Sequence, residues 1–96
     1  MIRPVGTRDA RRALEAKGFQ KASGIRDHEM YFLHVDGAKT NFWVKLSHGA
    51  GQMRVDEIKN NARAIHATGD DLYRIVCCEH DAEATKRVFL AGRQRA

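Results

Sequence analysis

A chain of 96 residues makes one domain with one modest core. Its 17 Lys and Arg against 12 Asp and Glu, net +5, favour a polyanion as partner over an acidic protein or a neutral metabolite. A hydrophobic fraction of 43% with a single Pro and 8 Gly argues against disorder, and no apolar run approaches the ~20 residues of a membrane span.

Met1 to Gly6 reads as a loose arm without an apolar export core. The two cysteines, Cys77 and Cys78, are adjacent, which suits a reducing compartment better than a disulfide-stapled fold, so a cytoplasmic location is expected. Thr7 predicts the cap of a helix running through Lys17, with Asp9 near its positive end and Gly18 closing it in a left-handed conformation. Ala10, Ala13 and Leu14 form a thin apolar stripe, and Arg8, Arg11, Arg12 and Glu15 lie off it, as a solvated or a phosphate-contacting face. Phe19 to Ala22 reads as a strand, followed by a loop from Ser23 to Asp27.

Two β-rich runs then flank Asp36-Gly37, a two-residue hairpin signal whose type I′ turn needs positive φ at both positions. With Val35 opposite Ala38, continuous pairing sets Leu33 against Thr40, Tyr31 against Phe42 and Glu29 against Val44. The other face sets His34 against Lys39, Phe32 against Asn41, Met30 against Trp43 and His28 against Lys45. The first face is expected to meet helices, and the second to be open to an anion.

Ser47 to Gly51 is a small-residue connection lacking the Lys-Ser/Thr ending of a phosphate-binding Walker loop. Val55, Ile58, Ala62 and Ile65 mark a helix stopped by Gly69, with His66 in its last turn as a dipole partner. Asp70 or Asp71 starts a short helix with Leu72, Ile75 and Val76. Asp81 caps another with Ala84, Val88 and Phe89 inward, and Gly92 to Ala96 reads as a frayed tail. The expected fold is α+β: an α-β-β-β-α layer with an antiparallel three-stranded sheet and one or two extra C-terminal helices.

No Walker, Rossmann or Gly-x-Ser-x-Gly signature appears, and no carboxylate pair has a metal-binding spacing. Cys77-Cys78-Glu79-His80 falls short of a zinc site in ligand count, and its cysteines are expected to be buried as small apolar residues. That leaves His28 in a basic setting. A histidine titrates near neutrality, and RNA brings its own nucleophile in the 2′-OH, so His28 with Lys45, and His48 or Arg26, would supply base, acid and phosphorane stabilisation without metal or cofactor. Trp43 would stack on an unpaired base or be covered by a C-terminal helix, and Lys39 and Lys45 would meet phosphates. The competing reading of His28 is a strand histidine without a role, and that of His34 is an exposed side chain near the turn.

Gly18-Phe19, Asp27-His28 with Tyr31 three residues on, Asp36-Gly37 and Ser47-His48-Gly49 come in an order that resembles the HicA family of toxins, small bacterial mRNA interferases of toxin–antitoxin pairs. The resemblance spans Thr7 to about Ile65, with Arg26-Asp27 where the family has Gly-Ser and a longer C-terminus than a minimal member. It implies a fold similar to a double-stranded-RNA-binding domain, a core over residues 7–67 with an extension over 70–91, His28 as catalytic histidine, RNA as substrate and a HicB-like protein antitoxin. A non-catalytic RNA-binding module of the same fold and an orphan toxin-like protein-interaction domain stay open as alternatives.

Overall fold

The structure, a computed structural model, describes residues 1–22, 28–47 and 51–95. In chain order these form β1 (Val5–Gly6), α1 (Thr7–Ala16), β2 (Phe19–Ala22), β3 (His28–Val35), β4 (Ala38–Ser47), β5 (Gln52–Met53), α2 (Val55–Ala64), α3 (Gly69–Val76) and α4 (Ala82–Arg95). The fold is α+β, with β2-β3-β4 as an antiparallel sheet and β1 paired with β5 beside it.

Val5 and Gly6 are therefore held rather than loose. Val5 lies opposite Met53, and both side chains are buried. The pairing carries straight into α1, whose first residue, Thr7, donates its N–H to the Gly51 carbonyl at 2.9 Å. Thr7 is buried and the N-cap is Gly6, so a backbone strand does what a capping hydroxyl was expected to do.

The turn is as expected: Asp36 and Gly37 have φ of 53° and 80°. Val35 opposes Ala38 and His34 opposes Lys39, but the register then shifts. Beyond it Phe32 faces Trp43, Tyr31 faces Val44, Met30 faces Lys45, Glu29 faces Leu46 and His28 faces Ser47. These pairs replace the expected Phe32–Asn41, Met30–Trp43, His28–Lys45, Tyr31–Phe42 and Glu29–Val44. The cause is a bulge in β4 built on Thr40. Its hydroxyl donates to the Leu33 carbonyl at 2.8 Å and accepts the Phe42 N–H at 3.2 Å. The slip is by two residues, so each side chain keeps its face.

One face is the core. Tyr31, Leu33, Phe42, Val44 and Leu46 are buried there with Ala10 and Leu14 of α1 and Ile58 and Ala62 of α2. α3 packs on both α1 and α2, and its Leu72, Ile75 and Val76 are fully buried in the same cluster. Val88 and Phe89 of α4 close it, with Phe89 edge-on to Phe42 at 5.8 Å between ring centres.

The ends of α1, α2 and α3 follow one rule, a left-handed residue after the last turn. Gly18 provides it after α1 at φ 95°, as expected. After α2 the residue is His66 at φ 58°, not Gly69. The Ala67 N–H returns to the Ala62 carbonyl at 2.9 Å. Gly69 instead begins α3, which Thr68 caps in place of Asp70 or Asp71 by accepting the Asp71 N–H at 3.1 Å. Asp81 caps α4 as expected, through the Ala84 N–H at 2.8 Å. α4 runs on through the expected frayed tail because Gly92 lies flat on the end of α2, where a Cβ would stand 3.0 Å from the Ile65 carbonyl oxygen.

Thr40→Val removes the hydroxyl that fills the bulge and leaves the Leu33 carbonyl and the Phe42 N–H without it. The expected loss is about 1–2 kcal/mol of unfolding free energy by denaturant titration, with an unchanged m-value. An unchanged midpoint would mean that the bulge does not depend on Thr40.

Candidate nucleic-acid interface

The outward residues of the sheet are Gln20 and Ala22 on β2, His28, Met30, Phe32 and His34 on β3, and Lys39, Asn41, Trp43 and Lys45 on β4. None is acidic. At the centre Phe32 and Trp43 are cross-strand partners, both half-buried, and the Lys39 ammonium lies 4.2 Å from the Phe32 ring centre. Trp43 also packs against the core and borders a pocket of about 200 Å³ with Phe89 and Arg93 of α4. The expectation that a C-terminal helix covers Trp43 is met in part: α4 reaches it, but it is half-buried rather than covered.

His28 and Lys45 are not directly opposite, yet they line one pocket of about 200 Å³ with Leu46, Glu57, Asn60 and Asn61. Asn61 ties α2 to β4 at that pocket. Its Oδ1 accepts the Lys45 N–H at 2.8 Å, and its Nδ2 donates to the Lys45 carbonyl at 3.3 Å and to the Glu57 carbonyl at 2.9 Å. A side-chain amide thereby pairs with the edge of β4 as a further strand would. This residue escaped the sequence reading, since an Asn beside an apolar helical stripe carries no signal of what it faces. Arg26 and His48, together with Asp27, lie outside the described residues; His28, Lys39, Trp43 and Lys45 share the outer face.

The inner face holds the one carboxylate of β3 and β4, with its cationic partners. Glu29 is buried there and accepts from Arg11 Nε at 3.0 Å, from Arg11 Nη2 at 3.4 Å and from the Tyr31 hydroxyl at 2.9 Å, with Lys21 Nζ at 4.0 Å. Arg11 is therefore neither a solvated nor a phosphate-contacting side chain, because α1 turns it toward the sheet. Burial works against ionising Glu29, but the hydrogen bonds from Arg11 and Tyr31 and the charges of Arg11 and Lys21 outweigh it, and its carboxyl sits below the usual range. Burial and the bond to Glu29 push the Tyr31 phenol up to about 12. Tyr31 is 1% exposed, so its role is to hold Glu29 rather than to meet a ligand.

His34 is half-buried beside Lys39, and His66 supplies the left-handed turn. Cys78 is exposed, against the expectation of a buried thiol, because its own left-handed conformation, φ 68°, ends α3. Cys77 is half-buried. Among the described residues no three His, Cys, Asp or Glu side chains converge as a metal site. None of the described helices is long and apolar enough to cross a membrane. No protein-family model matches the chain, and no curated protein or solved structure is found similar to it.

The Glu29 cluster has a pH signature. Its folded-state pKa is below the unfolded value near 4.5, so its stabilisation is complete above about pH 4.5 and is lost as pH falls through the folded value. Glu29→Gln should weaken the fold at neutral pH and flatten the acid limb of denaturation midpoint against pH. Parallel wild-type and variant curves below pH 4.5 would contradict the assignment.

Proposed function

We propose that the chain is a HicA-like RNA-cleaving toxin that works from the outer face of its sheet without a metal ion. The observation that supports this most is that the outward strand residues carry no carboxylate and that two of them, His28 and Lys45, border one pocket near the Phe32–Trp43 pair. A polyanion meets the positive charge of Lys39 and Lys45 on the sheet, and Glu57, which also lines the pocket, is paired with Arg54. Unpaired bases would lie on the aromatic pair, and Lys39 and Lys45 would take phosphates. His28 would receive the 2′-OH proton or deliver one to the leaving 5′-oxygen, while Lys45 offsets the charge that builds on the phosphorane. Arg26 and His48 are the proposed further phosphate contacts.

The order α1-β2-β3-β4-β5-α2 supports the double-stranded-RNA-binding-domain-like layer that the resemblance implies, with the short β1–β5 pair, α3 and α4 added to it. A HicB-like antitoxin would act by covering the outer face, in the cytoplasm. The second reading, a binding module without chemistry, is favoured by the same Phe32–Trp43–Lys39 cluster, which needs no proton transfer to hold RNA.

The test is RNA integrity after incubation with purified protein in EDTA, wild type beside His28→Ala. Cutting by the wild type alone is expected. If neither cuts but RNA quenches the fluorescence of Trp43, the only tryptophan in the chain, with a steep salt dependence, the binding module replaces the nuclease. Equal cutting by both would remove His28 from the mechanism.

A further inference from the structure

Lys17 is a buried amine that the proposed RNA chemistry leaves unused. It is 8% exposed and sits at the C-cap of α1. Its Nζ donates to the Ala13 carbonyl at 3.3 Å and to the Cys78 sulfur, also at 3.3 Å. Cys78 belongs to a different helix end. The Glu79 N–H returns to the Arg74 carbonyl at 2.8 Å, and Cys78 takes the left-handed position that glycine usually fills. A side chain is strained there, yet this conformation is the one that carries the thiol to Lys17. Cys78 is exposed and, with Cys77, borders a pocket of about 490 Å³ rimmed by Arg3, Asp9 and Arg12, so small solutes reach the sulfur. The Cys77 sulfur is turned elsewhere, 3.9 Å from the Arg74 carbonyl oxygen. A disulfide between neighbouring cysteines would have to distort the turn that joins them.

We propose that Lys17 and Cys78 are an oxidation site, closed by dioxygen into a covalent N–O–S bridge between Nζ and Sγ. The ammonium first releases a proton to solvent. An N–H and the S–H bond then break, N–O and O–S bonds form, and the second oxygen atom leaves as water. Nitrogen and sulfur give up two electrons each, and dioxygen takes all four. The bridge restores amine and thiol when a dithiol reductant returns those four electrons, with the bridging oxygen leaving as water. The inserted oxygen spans most of the present gap, so neither helix has to move far. The bridge ties the end of α1 to the end of α3, 61 residues apart in sequence, and so constrains the unfolded chain as a disulfide would.

The experiment is intact-mass and peptide mapping of the folded full chain held in air-saturated buffer, before and after dithiothreitol. The expected product is heavier by one oxygen and lighter by two hydrogens, joins the Lys17 and Cys78 peptides, and reverts on reduction. It should persist in Cys77→Ser and vanish in Cys78→Ser and Lys17→Arg. The bridged form should also melt at a higher temperature than the reduced form. Oxygen added to Cys78 alone, a Cys77–Cys78 disulfide, a direct N–S link without oxygen, or an unreacted Cys78 would each overturn the proposal.

Discussion

The outer face of the sheet is basic because the one carboxylate in β3 and β4, Glu29, points the other way. A buried carboxylate persists only with partners, and Glu29 has them: two Arg11 nitrogens and the Tyr31 hydroxyl. That contact also fastens α1 to the central strand. A one-residue slip of β3 would strand Glu29 among the outward lysines and turn Phe32 inward, so the same ion cluster that docks the helix defends the register. Keeping the sheet's carboxylate on the inner side, neutralised there by Arg11 and Lys21, is the constraint on which the proposed RNA face rests.

The outer face is in turn positioned from its edge. β4 is an edge strand, and Asn61 of α2 occupies the Lys45 backbone groups that would otherwise be open. This fixes Lys45 next to His28 at the end of the sheet, while the bulge at Thr40 brings Trp43 opposite Phe32. A face with Phe32 opposite Asn41 would have no paired aromatics. Small local devices therefore decide the composition of the proposed site, although the hairpin provides the face that carries it. α4 adds a limit on one side, since its Phe89 and Arg93 border the pocket beside Trp43.

What the sequence made legible followed from periodicity. The Asp36-Gly37 turn, the alternation in β3 and β4, the stripe of α2 and the Asp81 cap are local patterns, and the structure carries each of them. What it hid depended on contacts distant in sequence. Val5–Gly6 becomes a strand only because Gln52–Met53 lies beside it. Arg11 looked like surface until Glu29 was across from it, and Asn61 and Thr40 act on backbone groups that no side-chain pattern records. His66 and Cys78 end helices in a conformation that favours glycine, so Gly69 drew a boundary that belongs to His66. Of the site, His28, Lys39, Trp43 and Lys45 were readable as members of one face, but their neighbours were not.

The proposed RNA contact lies on the outer face of the sheet and not on the arginines of α1. The most direct measurement is amide chemical-shift mapping of the chain titrated with a short single-stranded RNA in EDTA. Perturbations are expected along Met30, Phe32, His34, Lys39, Trp43 and Lys45, with α1 unmoved. Shifts concentrated at Arg8 and Arg12 instead, with the outer face silent, would contradict it.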